Sequence, residues 1–229
     1  MRGSLKAVMF DLDGTLIETA PEISDAVNDA LHAVGLDPVG LPMVRDWIGH
    51  GTATLLRSAL SYRLDIDVNA LDQWPSYPDA VKAFDVAYEA RCGTRSHLYD
   101  DVRETLAMLK ANGIRIAVIT NKEARFTERV LKAHQLDRIM DAVISGDTLA
   151  TKKPNPAGIQ HVMERFNVVP QECLFVGDSS IDAATAKAAG VTVWLLPYGY
   201  NMGEPLEACE PDAILAEFGD VLAALDLDE

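Results

Sequence analysis

The 229-residue chain has little cysteine, no long apolar run and no basic cluster. Its three cysteines, Cys92, Cys173 and Cys209, are widely separated and form no CxxC or Cys/His pair. That excludes a disulfide framework and a thiolate zinc site, and it reads as reduced intracellular thiols with no role in chemistry. No apolar stretch approaches the roughly 20 residues of a membrane span, and the N-terminus lacks a signal-peptide core. The expectation is a cytoplasmic protein with no membrane partner. Lys and Arg number 20 against 35 Asp and Glu, a net charge of −15, so no surface for nucleic acid is expected. A small anionic substrate would need a local positive pocket.

What is present is ordinary globular material, 48% apolar and 24% charged. From about residue 98, short apolar runs alternate with helix-like segments, the pattern of β-α-β units feeding a parallel sheet. Strands are predicted at IRIAVIT (ending at Thr120), DAVIS, CLFVG and TVWLL, and the opening AVMF is of the same class. Their continuous rather than alternating hydrophobicity fits strands covered on both faces. Helical spacing covers 101–112, 123–134, 155–166 and 181–189. Residues 20–92 differ: helical patterns at 21–34, 51–62 and 79–91 and no convincing strand. The fold class is therefore α/β, a Rossmann-like parallel sheet formed by 1–18 and 96–229, with a small helical domain, 19–95, inserted.

Polar residues collect where predicted strands end: Asp11 and Asp13 in VMFDLDGTLI, then Thr120, Asn121 and Lys122, then Asp178 and Ser179. Open α/β sheets bind ligands at the carboxyl ends of their strands, so the three groups can converge. Three converging aspartates repel one another. A hard divalent cation with oxygen ligands, Mg²⁺ above all, relieves that and commonly shares its site with a phosphate. Thr120, its neighbouring N–H groups and the Gly14-Thr15 turn can donate to a phosphate. Lys153, held extended by the proline after it, can supply positive charge. One carboxylate of the first pair could then attack phosphorus while the other moves protons.

DLDGT, the strand-end Thr-Asn, the Lys-Pro turn and GDSSID together resemble the four motifs of the haloacid dehalogenase superfamily. The resemblance implies the fold with a helical cap, Asp11 as nucleophile, and Asp13 as general acid/base whose backbone carbonyl also ligates Mg²⁺. It further implies Thr120 and Asn121 as phosphate binders, Lys153 as the neutralising cation, Asp178 as the remaining metal carboxylate and Asp182 as an acid behind it. VRDWIGHG, GDTLATKKPNP and YGYNMGE are similar to bacterial phosphoglycolate phosphatases. That makes a small-molecule phosphate ester the partner and 2-phosphoglycolate the leading substrate of a monomer or homodimer. N-acetylmuramate 6-phosphate, a phosphomutase reaction and an inactive binding protein of the same fold are the alternatives. Arg45 is expected to grip the substrate carboxylate, or else to be a solvated helix arginine. His50, between two glycines, is a weaker candidate for the cleft.

Overall fold

The computed structural model describes residues 5–225. Six parallel strands form one sheet: β1 (Ala7–Phe10), β4 (Arg115–Ile119), β5 (Ala142–Ile144), β6 (Cys173–Gly177), β7 (Thr192–Leu195) and β8 (Ala213–Ile214), in the order β5-β4-β1-β6-β7-β8. The central strands bury both faces. Val8, Phe10, Ile116, Val118, Leu174 and Val176 join one core, while Ala7, Met9, Ala117, Ile119, Cys173 and Phe175 join the other. This two-sided burial is why the strands carry no polar alternation.

Phe10 pairs with both Val118 and Val176, so β1, β4 and β6 end level with one another. Whatever follows each of them emerges on a common edge.

Beyond β1 the chain makes one tight turn, Leu16 and Ile17 both donating back to Leu12, and enters a two-stranded antiparallel ribbon. The ribbon pairs β2 (Ile17–Glu18) with β3 (His97–Leu98). Between its strands lie α1 (Ala20–Ala33), α2 (Leu41–Trp47), α3 (Thr52–Leu64) and α4 (Tyr77–Arg91). Helix α1 shows why this segment is helical. Ile23, Ala26, Val27, Ala30 and Leu31 recur at one-face spacing and are buried, and a proline sits in the first turn. Helix α2 and the ribbon escape sequence reading because seven residues, or two, hold too little periodicity.

The remaining helices, α5 (Val102–Ala111), α6 (Ala124–Ala133), α7 (Ala157–Phe166) and α8 (Ser180–Ala189), match the expected ones to within two residues. A last helix, α9 (Asp220–Leu225), was not expected. No helix among the described residues is long and apolar enough to cross a membrane.

The inserted helices are tied to the returning chain by a buried carboxylate. Glu22 is fully buried and accepts from the N–H groups of Gly93, Arg95 and Ser96 at 2.9–3.2 Å. Those three N–H groups come from the segment that leads into β3. Glu22→Ala is therefore expected to lower the unfolding free energy by about 3 kcal/mol, because buried donors lose their acceptor. Urea denaturation, read as a shift of midpoint at constant slope, measures it.

Candidate active site

Asp11 follows β1, Thr120 follows β4 and Asp178 follows β6, and the level register brings all three to one cavity. Lys153 reaches the same place from the loop between β5 and α7. Its ammonium stands 2.8 Å from Asp11 Oδ1 and 2.7 Å from Asp182 Oδ1, and all three side chains are buried. Apart from that ion pair, Asp11 Oδ1 has no hydrogen-bond partner.

Asp182 lies in the first turn of α8, where its Oδ2 accepts from the Asp178 and Ser179 N–H groups and from Ser179 Oγ. Those bonds make it a helix cap as well as a partner of Lys153. They leave it no freedom to turn elsewhere.

Asp178 is held by one donor on each oxygen: Thr15 Oγ1 at 2.6 Å on Oδ1 and the Tyr200 N–H at 2.6 Å on Oδ2. Two glycines make room for it. A Cβ at Gly14, where φ is +83°, would come within 2.3 Å of Oδ2, and one at Gly199 within 2.2 Å. Only a residue without a side chain tolerates that approach.

Asp13 Oδ1 accepts from Thr19 Oγ1 at 2.7 Å and faces Lys122 Nζ at 2.9 Å. Thr120 Oγ1 accepts from the Lys122 N–H, leaving its own proton to donate. The side chain of Asn121 has a different task. Its Nδ2 donates to the Gly49 carbonyl at 2.8 Å and the Lys153 carbonyl at 3.0 Å, bracketing the inserted helices and the lysine loop together. Among the described residues, the N–H groups of Leu12, Asp13 and Asn121 meet no protein acceptor. They are free donors for an anion. Ile23, Ile48, Thr52 and Leu55 of the inserted segment close the cavity from above.

A family model described as haloacid dehalogenase-like hydrolase matches residues 8–196. The chain belongs to the haloacid dehalogenase-like hydrolases. Curated relatives named phosphoglycolate phosphatase include one from Aliivibrio fischeri, 37% identical over 97% of both chains. Another, from Colwellia psychrerythraea, is 39% identical over 96% of both. A crystal structure from Haemophilus somnus, named as a predicted phosphoglycolate phosphatase, superposes with a TM-score of 0.92. It is 32% identical and covers 98% of this chain and 99% of its own.

Three carboxylates of this hydrolase's site crowd one ammonium, a set that a further cation would relieve. Asp11, Asp178 and Asp182 each place an oxygen within 4.8 Å of the others, against the single ammonium of Lys153. Burial pushes the Asp11 carboxyl up to about 7, Lys153 opposing it and Asp182 adding to it. Burial, then Asp182 and Asp11, hold Asp178 well above the usual carboxylate range as well. A hard cation fits this all-oxygen donor set, with Asp11 and Asp178 the carboxylates available to it and Asp182 already taken up by Lys153 and the helix end. Lys122 keeps its charge: burial pulls its ammonium down, and Asp13 first, with Cys92 and Glu22, more than restores it.

Two expected residues stand apart. Arg45 Nη2 lies 2.7 Å from Glu18 Oε2 in the ribbon, and its guanidinium sits over the Tyr200 ring; Arg45 lines not the aspartate cavity but the cleft beside it, which shares Asp178 and Tyr200. His50 is exposed, and only its carbonyl is used, by Lys152 Nζ. Sequence reading passed over Glu18, whose buried carboxylate also accepts from the hydroxyls of Tyr99 and Tyr200, and over Tyr200 itself. Neither carries a local signal, since the two meet across 182 residues of chain. Because Arg45 is spent on Glu18, Arg45→Ala is expected to lower kcat/KM for carboxylate-bearing and carboxylate-free phosphate esters by the same factor. A loss confined to the carboxylate-bearing ester would move the guanidinium to the substrate.

Proposed function

We propose that this hydrolase cleaves phosphate monoesters through an aspartyl-phosphate on Asp11, with 2-phosphoglycolate as its substrate. The observation that carries the reading is the buried Asp11–Lys153–Asp182 arrangement with a second carboxylate, Asp13, two residues further on. A carboxylate beside a fixed cation, with free N–H donors around it, suits attack on an anionic phosphoryl group. A halide would leave without a proton, whereas an alkoxide needs one, and Asp13 is placed to give it.

In the first step an Asp11 carboxylate oxygen bonds to phosphorus as the ester P–O bond breaks, and Asp13 passes its proton to the departing oxygen. In the second, water attacks the same phosphorus, gives a proton to Asp13, and the Asp11–P bond breaks to release inorganic phosphate. Lys153, Thr120 and the N–H groups of Leu12, Asp13 and Asn121 hold the phosphoryl oxygens throughout. Mg²⁺, held by Asp11, Asp178 and the Asp13 carbonyl, would neutralise phosphate charge and relieve the repulsion between carboxylates.

Residues 19–95 act as a cap in this reading, since their apolar side chains roof the cavity and their sole covalent links to the sheet run through the ribbon. The names of the relatives support the substrate, and the tight, carboxylate-rich cavity supports a small one.

Asp11→Asn, folded by circular dichroism, is expected to lose at least about 10⁴-fold in phosphate release from both 2-phosphoglycolate and p-nitrophenyl phosphate. EDTA is expected to stop turnover and Mg²⁺ to restore it. An active Asp11→Asn variant would remove the covalent step. Greater kcat/KM for N-acetylmuramate 6-phosphate than for 2-phosphoglycolate would replace the substrate while leaving the chemistry.

A further inference from the structure

Lys122 lines the cavity and is 2% exposed, yet the steps above make no use of its side chain. A buried ammonium is costly unless its partners are good, so its partners are informative. It has two: Asp13 Oδ1 at 2.9 Å and the Tyr88 hydroxyl at 2.6 Å, to which it donates. Tyr88 is fully buried on α4, its ring 4.5 Å from that of Phe126 on the sheet side. Asp13 has a second restraint, Thr19 Oγ1 at 2.7 Å, on the same oxygen.

A carboxylate oxygen offers two lone-pair directions, so two donors at these distances occupy Oδ1. No hydrogen bond among the described residues reaches Asp13 Oδ2. Oδ2 is thus the oxygen left for the leaving group and the attacking water. Both restraints come through the inserted segment. Thr19 stands where the chain leaves the ribbon, and Tyr88 stands on the last inserted helix and acts through Lys122.

We infer that Lys122 is a positioning residue for Asp13, fixing Oδ1 so that Oδ2 faces the ester oxygen, and that Tyr88 makes this placement depend on α4 being seated on the sheet. The inference rests on the phosphomonoesterase reading. Asp13 then delivers its proton productively only beneath a docked insertion, because Lys122 is steadied from the α4 side. A lysine serving packing alone would gain nothing from contact with the reacting carboxylate, and the Tyr88 and Phe126 rings would accept an apolar side chain in its place.

The test uses leaving groups. Alkyl phosphates need a proton on the departing oxygen, and p-nitrophenyl phosphate does not, so loss of a well-placed Asp13 steepens the dependence of kcat/KM on leaving-group pKa. Lys122→Met is expected to lower the ratio of kcat/KM for an alkyl phosphate, 2-phosphoglycolate or another that the wild type turns over, to that for p-nitrophenyl phosphate by at least about tenfold. Lys122→Arg, which keeps the charge, should recover part of that ratio. Tyr88→Phe, which keeps the buried ring, should shift it in the same direction by a smaller factor.

Equal losses on both esters in Lys122→Met, or an unchanged ratio in both Lys122→Met and Tyr88→Phe, overturn the inference while Asp11-dependent turnover stands. A wild-type protein that turns over neither ester overturns the reading beneath it instead.

Discussion

The site is organised around one buried ammonium. Lys153 Nζ lies between Asp11 and Asp182, and all three side chains are buried, where an unpaired charge is costly. That contact fixes the end of β1, the loop after β5 and the start of α8 relative to one another. Asp182 completes it by also holding the N–H groups of Asp178 and Ser179, so Asp178 and the lysine share one support. Three carboxylates against one lysine leave the site short of positive charge. That deficit fits a hard cation with oxygen ligands.

The sheet supplies the precondition. Parallel pairing of β1 with both β4 and β6 in level register puts three strand ends side by side, and the residue after each is polar because it stands outside the apolar layers. The inserted helices then act on this edge at several points. Asn121 joins Gly49 to Lys153, Glu22 ties α1 to the returning chain, Glu18 gathers Arg45, Tyr99 and Tyr200, and Lys122 joins Asp13 to Tyr88. Each link is polar, short and buried or half-buried. Packing and chemistry are coupled through them.

Most of the sheet and seven of the helices were legible along the chain, because strands buried on both faces read as unbroken Val, Ile and Leu runs and helices as a repeating face. Asp11, Asp13, Thr120, Lys153 and Asp178 were legible for a related reason: each follows a predicted strand or a fixed Lys-Pro turn, where a polar residue has few structural duties. Arg45 shows the limit. Arg45 has the right chemistry for a carboxylate, but its nearest carboxylate is Glu18, on a two-residue strand that no periodicity announces. Asn121 follows a strand end as expected; its amide nitrogen is occupied by two carbonyls, which leaves its backbone N–H as the donor for an anion.

By itself, then, the sequence determined the layers, the strand ends and the kinds of group placed there, since hydrophobic period and turn residues act locally. Only the tertiary structure decided which carboxylate each cation serves. Lys153 goes to Asp11 and Asp182, Lys122 to Asp13, and Arg45 to Glu18. Those pairings span 27 to 142 residues, and each depends on register and helix docking, which bring the charges within 3 Å; for the two buried lysines burial makes the choice of partner energetically decisive.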